Sequence, residues 1–135
     1  MKHKITERFV DFITARTLNE KGFECESYWY YPKNGGEVEM LEWDELQYYK
    51  EDFICAPTLE MVREWLEIEH NLFIEIRTGI DLDENYKETN VVWYDFDIIP
   101  VGLTYPDFPE DFEIITYDHS WEALEAAIKY CLKLI

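Results

Sequence analysis

The chain has 135 residues, with 30 acidic against 12 basic side chains and a formal net charge of −18; 47% of residues are hydrophobic and 17% aromatic. That length suits one acidic α+β domain over residues 1–135, and the aromatic content excludes a disordered chain despite the charge. No apolar run approaches the roughly 18 residues of a membrane span, and no apolar stretch follows the basic start Met1-Lys2-His3-Lys4, so neither an anchor nor a secretion signal is expected.

The first predicted element is a helix over about residues 11–21. Asp11 is its N-cap, Phe12, Ala15 and Leu18 recur at helical spacing, and Gly22 follows as the stop. Residues 5–10 fit either an extension of this helix or an extended entry. Tyr28-Trp29-Tyr30-Tyr31 is a β-prone aromatic run, closed by Pro32 and the turn residues Asn34-Gly35-Gly36. Glu37 to Trp43 alternates, with Val38 and Met40 on one side.

The second helix has the clearest signals. Thr58 follows Pro57 as N-cap, Leu59, Val62, Trp65, Leu66 and Ile68 form the apolar face, and His70-Asn71 ends it. Leu72 to Arg77 then alternates, with Leu72, Ile74 and Ile76 inward. Residues 79–90 read as an acidic hairpin loop. Val91 to Ile98 places Val92, Tyr94, Phe96 and Ile98 on one face and Val91, Trp93, Asp95 and Asp97 on the other. Pro100, Pro106 and Pro109 mark loop, and Phe112 to Thr116 is a candidate last strand. A third helix spans residues 120–134, capped by Asp118 or Ser120, with Trp121, Leu124, Ala127, Ile128, Cys131 and Leu132 on its buried side. The order predicts an antiparallel sheet of about four to five strands with about three helices packed on it.

Charge is concentrated in the middle of the chain. Residues 37–111 hold 21 acidic and four basic groups, net −17, whereas residues 1–36 are net +1. Direct nucleic-acid binding is therefore not expected, because it rests on cations facing phosphates. Attraction to a basic protein surface is. Cys25, Cys55 and Cys131 are odd in number and far apart, which predicts reduced, buried thiols rather than a disulfide framework.

Motifs for chemistry are sparse. No zinc spacing, phosphate loop or nucleophile elbow occurs, so no cofactor and no catalytic residue is assigned. Cys55 precedes a helix N-terminus, where a thiol can be activated, but it reads better as a buried hydrophobe; His70 and His119 share no local signature with it. The candidate binding residues are Trp93, Asp95 and Asp97, with Tyr28 or Tyr30. Asp95 and Asp97 are two apart on a strand and share a face with Trp93, an arrangement suited to a divalent cation or small ligand if it is more than a solvated sheet face. Asp81, Asp83 and Glu84 lack the spacing of a calcium loop and read as solvated. Of the run Tyr28 to Tyr31, either Tyr28 and Tyr30 or Trp29 and Tyr31 form an exposed patch if one face is open; Trp43, Tyr48, Tyr49 and Phe53 would add to it.

Three stretches carry a resemblance. They are Phe9-Val10-Asp11-Phe12 through Gly22-Phe23, Ala56-Pro57-Thr58-Leu59-Glu60-Met61-Val62-Arg63-Glu64-Trp65-Leu66 through Ile76, and Ser120-Trp121-Glu122-Ala123-Leu124-Glu125-Ala126-Ala127-Ile128. In this order they resemble a family of small uncharacterised proteins of phages and prophages of gut bacteria. The resemblance implies a phage or mobile-element origin and a cytoplasmic site of action in the host, and it transfers no catalytic residue. Glu37 to Asp52 departs most from the family pattern.

Three functions fit this reading. The first is a non-enzymatic binding protein whose acidic surface engages a basic host or phage protein, with a DNA mimic or inhibitor as its sharp form. The second is a small-molecule or metal-binding domain built on Trp93, Asp95 and Asp97. The third is a homo-oligomer joined through exposed aromatics. None involves a membrane.

Overall fold

Asp11 caps the first helix as its side chain dictates: Oδ1 accepts the Thr14 N–H at 2.8 Å, and helix α1 runs Phe12–Glu20. Gly22, at φ +85°, takes the left-handed turn that ends it. The computed structural model describes residues 8–24, 28–42, 50–102 and 115–135. The chain is α+β and divides into two compact units, Met1–Val62 and Arg63–Ile135.

In the first unit, α1 buries Ala15 and Leu18. Arg8 to Val10 is an extended entry rather than more helix, with Phe9 bridging Thr58 and the Val10 N–H donating to the Pro57 carbonyl. Strand β1 (Trp29–Pro32) lies between β2 (Glu39–Met40) and β3 (Phe53–Cys55), antiparallel to both. Pro32 ends β1 opposite Phe53 and also starts the following turn, its carbonyl accepting the Gly35 N–H. Tyr30 and Tyr31, on opposite faces, are both buried, and the Tyr31 hydroxyl donates to the Val10 carbonyl at 2.6 Å. The alternation expected from Glu37 to Trp43 is shorter than predicted: the strand is two residues long, Met40 is exposed, and Leu41 just beyond it is buried.

Helix α2 (Leu59–His70) starts in the first unit and continues into the second. Thr58 Oγ1 accepts the Met61 N–H, and Asn71 at φ +53° closes the other end. Leu59, Val62 and Leu66 are buried as expected, but Ile68 is 67% exposed, so the apolar face is narrower than its spacing suggests.

The second unit is built on one long ribbon. Strand β4 (Leu72–Leu82) pairs antiparallel with β5 (Glu88–Pro100), from Leu72 opposite Pro100 to Leu82 opposite Glu88, with a bulge between Ile80 and Leu82. Both strands outrun the predicted segments. The turn is confined to Asp83–Lys87, where Asp83 Oδ1 accepts the N–H groups of Asn85 and Lys87. Pro100, expected in loop, is the last residue of β5, a strand-end position where its missing N–H costs nothing. Helix α3 (Ser120–Leu134) packs on the ribbon, burying Leu124, Ala127, Ile128, Cys131 and Leu132; Phe96 of β5 meets its Tyr130 ring. His119 holds the N-cap position in place of Asp118 or Ser120, and its side chain makes no capping bond.

Among the described residues the strands therefore form two small antiparallel sheets, of three and two strands, instead of one sheet of four to five. The candidate strand Phe112 to Thr116 lies largely outside the described residues, as do Cys25, Trp43, Tyr48, Tyr49, Pro106 and Pro109.

Candidate functional site

The register of the ribbon sets out its outer face. On the side away from α3, Phe73 faces Ile99, Glu75 faces Asp97, Arg77 faces Asp95 and Gly79 faces Trp93. Trp93, Asp95 and Asp97 thus share one surface, as strand alternation requires. Tyr28 and Tyr30 belong to the first unit. Tyr30 is buried, and that burial pushes its phenol pKa up, while Tyr28, just before β1, is 70% exposed.

Asp95 is committed to a partner that the sequence reading missed. Arg77 Nε donates to Oδ1 at 2.8 Å and Nη2 to Oδ2 at 3.0 Å, a two-pronged pair. Asp95 is only 6% exposed, whereas the Arg77 side chain is half in solvent. The hydrogen bonds to Asp95 raise the Arg77 pKa above its ordinary value, with smaller contributions from the charges of Asp95, Asp97 and Glu75. With both of its oxygens so engaged, Asp95 is not a free ligand for a divalent cation. Among the described residues no group of three or more His, Cys, Asp or Glu side chains is arranged to hold a metal.

Asp97 stands differently. It is exposed, and its Oδ1 accepts the N–H of Ile98, its own neighbour, at 2.9 Å. Directly across the ribbon is the exposed carboxylate of Glu75. Two like charges opposite each other on a sheet repel. Arg77, the nearest strand cation, is bound to Asp95.

Trp93 is positioned by a missing side chain. Its six-membered ring lies directly on Gly79, so that a Cβ there would fall inside the ring. Glycine in a strand interior marks such a close approach. The sequence signal was present in Gly79, Glu75 and Arg77, but it becomes readable only with the strand register.

The remaining candidates are structural. Cys55 is in a disulfide, which corrects the expected reduced, buried thiol. An odd cysteine count left room for one bridge and one free thiol. Cys131 is free, and burial pushes its pKa up to about 12, leaving it inert. His70 packs edge-on against Trp65 at 4.6 Å between ring centres, and His119 stacks on Trp121. Asp81, Asp83 and Glu84 are exposed at the tip of the ribbon.

No protein-family model, curated protein or solved structure matches the chain. No helix among the described residues is long and apolar enough to cross a membrane.

Proposed function

We propose that this is a binding protein without chemistry of its own, whose acidic ribbon face engages a basic surface on a protein partner. The observation that carries the reading is the Glu75–Asp97 pair, two exposed carboxylates held opposite each other beside Arg77, whose hydrogen bonds go to Asp95 and whose single charge all three carboxylates share. Such a face gains from a partner's cation beyond what Arg77 supplies. Within the same unit, Glu64 and Glu69 of helix α2 and Asp83, Glu84 and Glu88 around the ribbon tip are further exposed acids. The phage or prophage origin rests on the three resembling stretches, and so does a cytoplasmic site of action.

The test is capture of partners from host lysate by the tagged chain, read by native mass spectrometry at low and at high salt, beside the double variant Glu75→Gln, Asp97→Asn. The expected result is a stoichiometric basic protein that salt removes and that the variant fails to hold. A captured set identical for the two chains, or indifferent to salt, overturns the reading.

A further inference from the structure

The hydrogen bonds of the ribbon identify which backbone groups face outward. Tyr94 exchanges both of its backbone bonds with Tyr117, at 2.9 and 2.8 Å, so its N–H and C=O point away from β4. In an antiparallel ladder a residue's two groups point the same way and alternate along the strand. Thr78, opposite Tyr94, therefore also faces out, on β4, with Ile76 and Ile80 to either side. Ile74, next in that set, conforms: its carbonyl accepts Arg63 Nη2 at 2.7 Å. Beyond Ile74 no strand among the described residues pairs with this edge of β4.

Proteins usually block such edges. Tyr117 covers part of the β5 edge and Arg63 the start of the β4 edge, but among the described residues no backbone partner meets Ile76 to Ile80. Along one side of the open stretch run Ile76, half-buried, and Ile80, whose cross-strand partner Val92 is equally exposed, 43% against 41%. The opposite side begins at Glu75, continues with the half-exposed Arg77 guanidinium paired to Asp95, passes the Trp93 ring lying on Gly79, and ends at Asp81.

We propose that the open edge of β4 takes up an extended segment of the partner as a third strand, and that this segment alternates basic and apolar residues. The inference rests on the binding reading above and specifies its mode, strand addition. The apolar side chains lie beside Ile76 and Ile80. The basic ones reach Glu75 and Asp81 on either side of the Arg77 guanidinium, whose charge Asp95 offsets, and a lysine or arginine next to Asp81 passes over Trp93. A second copy of this chain is the poorer occupant, because residues 72–100 hold seven acidic against two basic groups and would repel themselves.

The probe is the peptide acetyl-Lys-Val-Lys-Val-Lys-Val-Lys-amide, titrated into the full chain, with amide hydrogen exchange followed at Ile76, Thr78 and Ile80. Two further peptides are N-methylated on the valines or on the lysines, which keeps charge and side chains while removing the donors of one edge. The chain variants are Thr78→Pro, which deletes an outward donor without touching a β4–β5 bond, and Thr78→Val, which keeps it. Expected are slowed exchange at Thr78 and Ile80, loss of binding by one N-methylated peptide only, and binding about tenfold weaker for Thr78→Pro than for Thr78→Val. If the parent peptide binds in a salt-sensitive way but both N-methylated forms match it, strand addition is overturned and the acidic-surface reading stands. Absence of binding at low salt overturns both. Exchange at Thr78 that slows with protein concentration alone, together with a dimer in sedimentation, assigns the edge to a second copy and overturns the proposal.

Discussion

Arg77 and Asp95 show how one partner decides what a carboxylate can do. Asp95 is nearly buried, and an ionised group there is tolerated only because both of its oxygens accept from the guanidinium. Removing the cation strands the charge. Arg77→Ala is expected to cost about 2 kcal/mol, a figure kept below that of a fully buried pair because the Arg77 side chain is half in solvent. Asp95→Asn keeps the shape and an acceptor and is expected to cost about 1 kcal/mol. The double variant should be milder than the sum of the singles by about 1 kcal/mol, measured by urea unfolding at neutral pH. Strict additivity would mean that the two side chains touch without stabilising each other. Cys131 makes the complementary point. Its raised pKa comes from burial alone and signals an inert packing residue rather than a reactive site.

At the scale of elements, the helices were legible and the ribbon only partly so. Asp11, Gly22, Thr58 and Asn71 are local signals whose effect is complete within one turn of chain, and each acts where the sequence places it. Gly79 misled, because glycine beside acids reads as turn punctuation. In fact it sits inside β4, and the turn is made four residues later by Asp83 with Tyr86 at φ +61° and no glycine. Reading all of residues 79–90 as loop, when the strands run to Leu82 and from Glu88, hid the register, and with it the Arg77–Asp95 and Glu75–Asp97 pairings. The division of strands between two sheets was also hidden, since the runs along the chain do not say which strand each will meet. The proper role of Gly79 is testable. Gly79→Ala drives a methyl into the Trp93 ring and is expected to cost about 1–3 kcal/mol. In a Trp93→Ala background the same substitution should be neutral or slightly stabilising, because alanine loses less backbone entropy than glycine. An equal cost in both backgrounds, measured by thermal melting, would show that the ring is not what requires glycine.

For the molecule as a whole, the charge imbalance was readable in the sequence, but its consequence for stability depends on how it is neutralised. A net charge of −18 repels itself, and folding brings the carboxylates closer together than they are in the open chain. Twelve basic groups can pair with fewer than half of the 30 acidic ones. Ion pairs among the described residues include Arg77–Asp95 and the looser contacts Arg63–Glu67 and Lys129–Glu125, the last two exposed or half-exposed and of small energy. Counterions must therefore do what internal cations do not. Raising sodium chloride from about 0.02 M to about 0.5 M shortens the Debye length from about 20 Å to about 4 Å. The screening should stabilise the fold by about 1 kcal/mol, a rise in Tm of roughly 4 °C. Most surface ion pairs respond in the opposite direction, since salt weakens attraction as well as repulsion, so the sign of the shift separates the two. A Tm that falls with salt would mean that attractive pairs dominate and that the acidic excess is already balanced within the fold. The rise, measured at neutral pH with potassium chloride as a check against sodium-specific binding, would leave the excess open to an external cation, the condition that a basic partner strand on β4 requires.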